Sequence, residues 1–146
     1  LRKTYPDVEL TTDIIVGFPG ETEEEFKTTY NYLKEIKFYK MHVFQYSPRK
    51  GTKAAVMENQ ISPEVKAKRS KELIQLSNKN QKEINEQYIG KELKVLFEEC
   101  ENGTVKGHTS NYIRVEAKGK EENCNKIVNV KIEKDENEIL IGNILN

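Results

Sequence analysis

Asp13-Ile14-Ile15-Val16-Gly17-Phe18-Pro19-Gly20-Glu21-Thr22 is the stretch from which the fold can be read. Residues 10 to 16 end in a continuous β-branched run, the pattern of a strand buried on both faces, and such strands belong to parallel sheets. The glycines and Pro19 then turn the chain. Thr22, with Glu25 three positions on, has the spacing of a capping box, and Glu23 and Glu24 put negative charge where a helix dipole favours it. A helix is predicted to start at Thr22. Phe26, Thr29, Tyr30, Leu33 and Ile36 recur at helical spacing, which gives one core-facing stripe to about Lys37. Met41 to Tyr46 reads as a second strand. Strand, helix and strand over this length predict a βαβ unit with a right-handed crossover.

Working outward, Ser62-Pro63-Glu64 marks another helix start, because proline at the first helical position loses no hydrogen bond. Val65, Arg69, Leu73, Leu76, Ile84 and Tyr88 keep to one face, which Asn80 interrupts, and a helix over about 63–87 ends near Gly90. Beyond it the period changes to two. Leu93, Val95 and Phe97 face one way on a first strand, and Asn102-Gly103 is a hairpin signal leading into Thr104 to Gly107. Further strands are predicted at Tyr112 to Ala117, Ile127 to Ile132 and Glu138 to Ile144. Five short strands in under 60 residues, with turns between them, predict a small OB-like barrel. The fold class is therefore α/β followed by all-β, with residues 1–87 and 88–146 as the two parts.

Only 36% of the 146 residues are apolar and 33% are charged, yet Ile, Val, Leu and Tyr are too frequent for a disordered chain. The longest apolar stretch, Ile14 to Phe18, is far short of the roughly 20 residues that a membrane-spanning helix needs. No membrane partner is expected. The 24 cations balance the 24 anions, so net charge alone points to no polyanion, although residues 48–86 carry an excess of positive charge. Cys100 and Cys124 lie 24 positions apart with no neighbour at ligand spacing, which predicts neither a metal clip nor a disulfide framework. A reducing, cytoplasmic setting is the expectation. The start at Leu1, without a basic or apolar leader, reads as a piece of a longer chain.

The glycine-containing turn after the first strand lies at the carboxyl end of that strand, where α/β folds bind ligands; from spacing alone the plainer reading, a tight βα turn shaped by Pro19, comes first. Lys and Ser/Thr are missing from the positions a P-loop requires. The second strand delivers His42 through Thr52 to the same rim, where Arg49 and Lys50 beside Tyr46 suit an anionic or aromatic substrate, although a loop with two cations, taken alone, is ordinarily just solvated. His42 reads as an ordinary strand residue. No metal-ligating or catalytic side chain is predicted.

Asp13 to Thr22, Tyr46 to Thr52 with Ala54-Ala55, and Gly107-His108-Thr109-Ser110-Asn111-Tyr112 together resemble the C-terminal part of the radical SAM tRNA methylthiotransferases, in the branch acting on N6-threonylcarbamoyladenosine. The resemblance covers nearly the whole chain. It implies a parent enzyme with two [4Fe–4S] clusters, a partial radical SAM barrel and a C-terminal TRAM domain. This chain is similar to the end of that barrel, a linking helix and the TRAM module. The three-cysteine loop of the radical SAM cluster is absent from this sequence, so the fragment by itself is expected to be inactive.

The resemblance implies that Ile15, Gly17, Phe44, Gln45 and Tyr46 contact the adenine of S-adenosylmethionine and that Arg49 faces the substrate nucleotide or the cofactor carboxylate. Gln45 and Lys53 depart from the prolines usual in this branch. In the TRAM module, Lys106, His108, Asn111, Tyr112 and Arg114 combine aromatic and basic groups, the means by which OB-like surfaces hold RNA, here the anticodon stem-loop of a tRNA. Tyr112 reads equally as a core residue of a small barrel. The reaction implied is replacement of C2–H of the adenosine next to the anticodon by a methylthio group. The alternative reading is a non-catalytic RNA-binding module that stands alone. The sequence does not specify an oligomeric state.

Overall fold

The computed structural model describes residues 1–145 and divides into two compact units: Leu10–Gln81, and Leu1–Glu9 together with the chain from Lys82 onward.

In the first unit, β1 (Thr11–Val16) and β2 (Lys40–Gln45) form a two-stranded parallel sheet, in register from Thr11 opposite Lys40 to Val16 opposite Gln45. Between them runs α1 (Glu23–Ile36). Its start is fixed as the spacing predicted: Thr22 Oγ1 accepts from the Glu25 backbone N–H at 3.2 Å, and the Glu25 carboxylate accepts from the Thr22 N–H at 2.8 Å. Those bonds from Thr22 hold the Glu25 carboxyl below its ordinary pKa. The helix ends on Lys37, whose backbone is left-handed and whose N–H returns to the Leu33 carbonyl.

The long helix α2 (Pro63–Glu86) contributes Leu73 and Leu76 to a core with Val16, Phe26, Leu33 and Met41, against which Ile14, Tyr30, Phe38 and Val43 pack. The alternate positions Ile15 and Phe44 are 59% and 53% exposed. The prediction of a strand buried on both faces is thus corrected. Both helices pack with Ile14, Val16, Met41 and Val43, on one side of the sheet, and the described residues leave the other side open.

The stripe on α2 also differs from expectation. Asn80 does not interrupt it: the side chain is buried and its Nδ2 donates to the Phe38 carbonyl at 3.3 Å. Ser77 Oγ similarly accepts from the Met41 N–H at 2.9 Å. Polar residues on this buried face satisfy backbone groups at the start of β2, which would otherwise be left without partners. Val65, predicted on the buried stripe, is instead exposed.

The second unit contains a closed barrel of β3 (Glu92–Glu101), β4 (Thr104–Thr109), β5 (Arg114–Lys118), β6 (Lys126–Glu136) and β7 (Ile139–Ile144), ordered β3-β4-β5-β7-β6 around the ring. Only the β5–β7 pairing is parallel; the other four are antiparallel. Val95, Phe97, Val105, Val115, Val130, Ile132 and Leu140 alternate inward and are fully buried or nearly so. This is the five-stranded barrel that the period-two pattern predicted. The Asn102-Gly103 hairpin has positive φ at both central residues, as a type I′ turn requires. Gly107 is needed for a different reason: a Cβ there would stand 1.9 Å from the Leu96 carbonyl oxygen on the adjoining strand.

The cysteine reading is overturned. Cys100 and Cys124 are joined in a disulfide, with Cα atoms 6.0 Å apart. Their separation in sequence vanishes in the barrel, because β6 pairs with β3 as far as Phe97 opposite Lys126, and the Asn125 N–H donates to the Phe97 carbonyl at 2.8 Å.

Candidate functional site

The expected site residues fall on two surfaces, one in each unit. At the carboxyl ends of β1 and β2, Ile15, Phe44, Gln45, Tyr46, Ser47, Arg49, Thr52 and Ala54 line a cavity of about 390 Å³. Ile15 and Phe44 are neighbours in the sheet register, on its open side. The Tyr46 N–H donates to the Val16 carbonyl at 2.8 Å and continues the parallel pairing one residue beyond β2. Arg49 is carried by a short turn in which Thr52 Oγ1 donates to the Arg49 carbonyl at 2.8 Å, with Gly51 at φ 86°. The Arg-x-Gly-Thr spacing is therefore a local backbone requirement as well as a motif.

Gly17 is not in the lining of that cavity. Its φ is 72°, and the space a Cβ would take is filled by Lys66, whose Cγ would lie 2.2 Å from it. Glycine here lets this protein's own side chain pass. Lys66 Nζ then donates to the Tyr46 carbonyl at 3.0 Å and stands 5.7 Å from the centre of the Tyr46 ring. The turn is held from a second side. Glu21 accepts from the Gly17 N–H at 2.7 Å and from Arg69 Nη1 at 2.6 Å, while Arg69 also donates to the Glu21 carbonyl and lies 5.3 Å from the centre of the Phe26 ring. Arg69 and Glu21 are 48 positions apart, so no local pattern could have paired them.

The lining matches the adenine end of S-adenosylmethionine in kind: apolar side chains on an open sheet face, and no ionisable group except Arg49 and the Tyr46 phenol. The buried Tyr46 hydroxyl has no hydrogen-bond partner among the described residues. A [4Fe–4S] cluster does not match. Among the described residues no three His, Cys, Asp or Glu side chains gather as a metal site, and both cysteines are consumed in the disulfide.

On the barrel, Lys94, Leu96, Glu98, His108, Thr109, Ser110, Tyr112 and Ile127 line a second cavity of about 390 Å³. Leu96 pairs with His108 on β4 and with Ile127 on β6, so three side chains form a row across three strands on the outer face. Tyr112 is 81% exposed, which removes the core reading, and its ring centre lies 5.9 Å from that of His108. The reason is local: the Tyr112 N–H donates to the Thr109 carbonyl, closing a turn on which the residue stands at φ 66°, and the next residue, Ile113, enters the core. His108 Nδ1 is 2.6 Å from Glu98 Oε2. Arg114 pairs with His108 across β4 and β5, and Lys106 with Glu116; Glu116 Oε1 is 3.9 Å from both Lys106 Nζ and Arg114 Nη2.

Lys106, His108, Tyr112 and Arg114 are thus brought together on one outer face. Asn111 is not among them. Its Nδ2 donates to the Asp7 carbonyl at 2.9 Å and to the Tyr88 hydroxyl at 3.0 Å, and its Oδ1 accepts from Thr109 Oγ1. Tyr88 in turn donates to the Glu9 carboxylate at 3.0 Å. Burial together with that carboxylate pushes the Tyr88 phenol up to about 12, and burial also raises the Glu9 carboxyl. Asn111 therefore ties the segment before β1 to the barrel.

The sequence reading missed Leu96, Glu98 and Ile127. For two of them the signal was present: Leu96 falls out of phase with Leu93, Val95 and Phe97, and Ile127 with Val128, Val130 and Ile132, whereas Glu98 is an ordinary polar residue on the outer face.

No family model matches the chain. It is 48% identical over 137 residues to the threonylcarbamoyladenosine tRNA methylthiotransferase of Bacillus subtilis, an alignment covering 90% of this chain and 30% of that protein. It is 43% identical over 145 residues to the tRNA-2-methylthio-N(6)-dimethylallyladenosine synthase of Endomicrobium trichonymphae, covering 99% and 35%. The synthase of the same name from Aquifex aeolicus is 39% identical over 145 residues, covering 99% and 33%. The chain spans about a third of the length of these relatives.

Proposed function

We infer that this chain belongs with the tRNA methylthiotransferases, which are its homologues over its whole length, and that it is the C-terminal part of such an enzyme. Relatives that act on threonylcarbamoyladenosine and on dimethylallyladenosine both align well, so identity alone separates neither branch. The sequence motifs favour the threonylcarbamoyladenosine branch, with C2 of the modified adenosine beside the anticodon as the reacting position. In this reading residues 1–87 are the end of the radical SAM barrel with its linking helix, residues 88–146 are the TRAM module, and the protein works in the cytoplasm. No helix among the described residues is long and apolar enough to cross a membrane.

S-adenosylmethionine supplies the radical chemistry of the reaction. This chain's part is to bind and orient. Ile15 and Phe44 offer an apolar face to the adenine, Gln45 and Tyr46 its edge contacts, and Gly17 a turn held rigid by Lys66, Glu21 and Arg69 rather than a direct contact. Arg49 supplies a cation at the cavity wall for a carboxylate or a phosphate. Lys106, His108, Tyr112 and Arg114 hold the tRNA. The clusters would be held elsewhere in the parent, and the chain alone is inactive.

The observation that carries the reading is the apolar cavity beside Arg49, at the strand ends where the family motif lies. An NMR titration with S-adenosylmethionine tests it. Shifts are expected at Ile15, Phe44, Gln45 and Tyr46 and lost in Phe44→Ala; shifts confined to other residues would overturn the assignment.

A further inference from the structure

The barrel cavity has walls of one kind and a rim of another. Leu96 and Ile127 are 41% and 69% exposed on strands whose outer face ordinarily carries polar side chains, and Tyr112 lines the same cavity beside His108. A flat heterocycle fits this arrangement, with its faces against the aliphatic row and the Tyr112 ring. Such walls accept any base. The rim does not. Glu98 is fixed at it by the hydrogen bond from His108 Nδ1 to Oε2, in which the carboxylate is the acceptor and the imidazole the donor. This leaves Oε1 and the remaining lone pairs of Glu98 as acceptors that a ligand edge must meet with donors.

We propose that this cavity takes one unstacked RNA base and that Glu98 selects guanine. The proposal rests on the reading of the barrel as an RNA-binding module. Guanine alone offers two adjacent N–H donors on its pairing edge, from N1 and N2, in the spacing a carboxylate accepts. Adenine and cytosine place a ring nitrogen acceptor next to their single amino group, and uracil flanks its one N–H with two carbonyls. Each of these sets a lone pair against the carboxylate, which is repulsive and forfeits the paired hydrogen bonds that guanine makes. Lys94 lines the same cavity and supplies a cation for the adjoining phosphate.

The test is fluorescence anisotropy of the whole chain with labelled five-nucleotide RNAs of sequence UUNUU at low salt. N = G is expected to bind about five- to tenfold tighter than each of the other three, the scale of a paired base contact. Glu98→Gln should bring the four within twofold while the other three bind as well or better, since a negative charge has left the surface. The Glu98 side chain is half exposed, so this variant should melt like the parent. Tyr112→Ala should weaken all four by a similar factor. Equal binding of the four RNAs by the unmodified chain would overturn guanine selection and leave the RNA reading standing. A guanine preference that survives Glu98→Gln would overturn the role of Glu98. Failure to bind any of them would overturn both readings.

Discussion

Tyr112 keeps a bulky aromatic side chain on a backbone at φ 66°, a region that costs a non-glycine residue roughly 1 to 2 kcal/mol. Strain of this kind persists where the side chain is needed in one place. Two substitutions separate the terms. Tyr112→Ala should weaken RNA binding by about 1 to 3 kcal/mol and leave thermal stability nearly unchanged, because an 81% exposed ring contributes little to the core. Tyr112→Gly should weaken RNA binding equally but raise stability by about 0.5 to 1 kcal/mol, read from urea melts. The sequence left Tyr112 open between core and surface because tyrosine is no turn former, and its left-handed backbone is set by the Thr109 carbonyl three residues back. Tyr88 allows a pH prediction. Its folded pKa is raised to about 12 from 10, so its neutral form contributes stability that is present below about pH 10 and is lost as pH rises through 12. In an ultraviolet titration a tyrosine step is expected near pH 12, and Tyr88→Phe should remove that step and flatten the alkaline loss of stability.

At the scale of elements, the helix starts and the hairpin were legible because each is set by residues within a few positions: the Thr22–Glu25 box and Asn102-Gly103 do in space what they say in sequence. What was not legible is long-range pairing of polar groups. Arg69 was read as one more member of a buried stripe, yet it is the partner that holds Glu21 and through it the Gly17 turn. Its side chain is 5% exposed and that of Glu21 17%. Arg69→Ala should therefore destabilise the chain by about 3 to 5 kcal/mol, since it strands a largely buried carboxylate. Adding Glu21→Gln to Arg69→Met should recover part of that loss in urea melts; an additive loss would show that the pair acts through packing alone. The same blindness explains Asn111, whose aromatic and basic neighbours in sequence suggested RNA while its amide faces Asp7 and Tyr88.

For the whole molecule, the disulfide and the lack of a three-ligand metal group among the described residues make one prediction together. The chain as isolated should show no free thiol when denatured, and anaerobic treatment with iron and sulfide should give no stoichiometric cluster absorption. Reducing the 24-residue link should lower stability by about 2 to 4 kcal/mol. A stoichiometric cluster lost on mutating Cys100 or Cys124 would contradict this. The five barrel strands were visible in sequence through alternation, but the β5–β7 pairing was not, because a parallel closure is made by strands that no turn connects. That closure has a practical consequence. A ring of strands offers no row of spare N–H and C=O groups to a newcomer, whereas β1 and β2 form an open ribbon with Ile15 and Phe44 bare on one side. When the chain is made in quantity, clumping should begin in residues 10–45 and leave the barrel untouched, and Ile15→Lys should keep concentrated solutions clear.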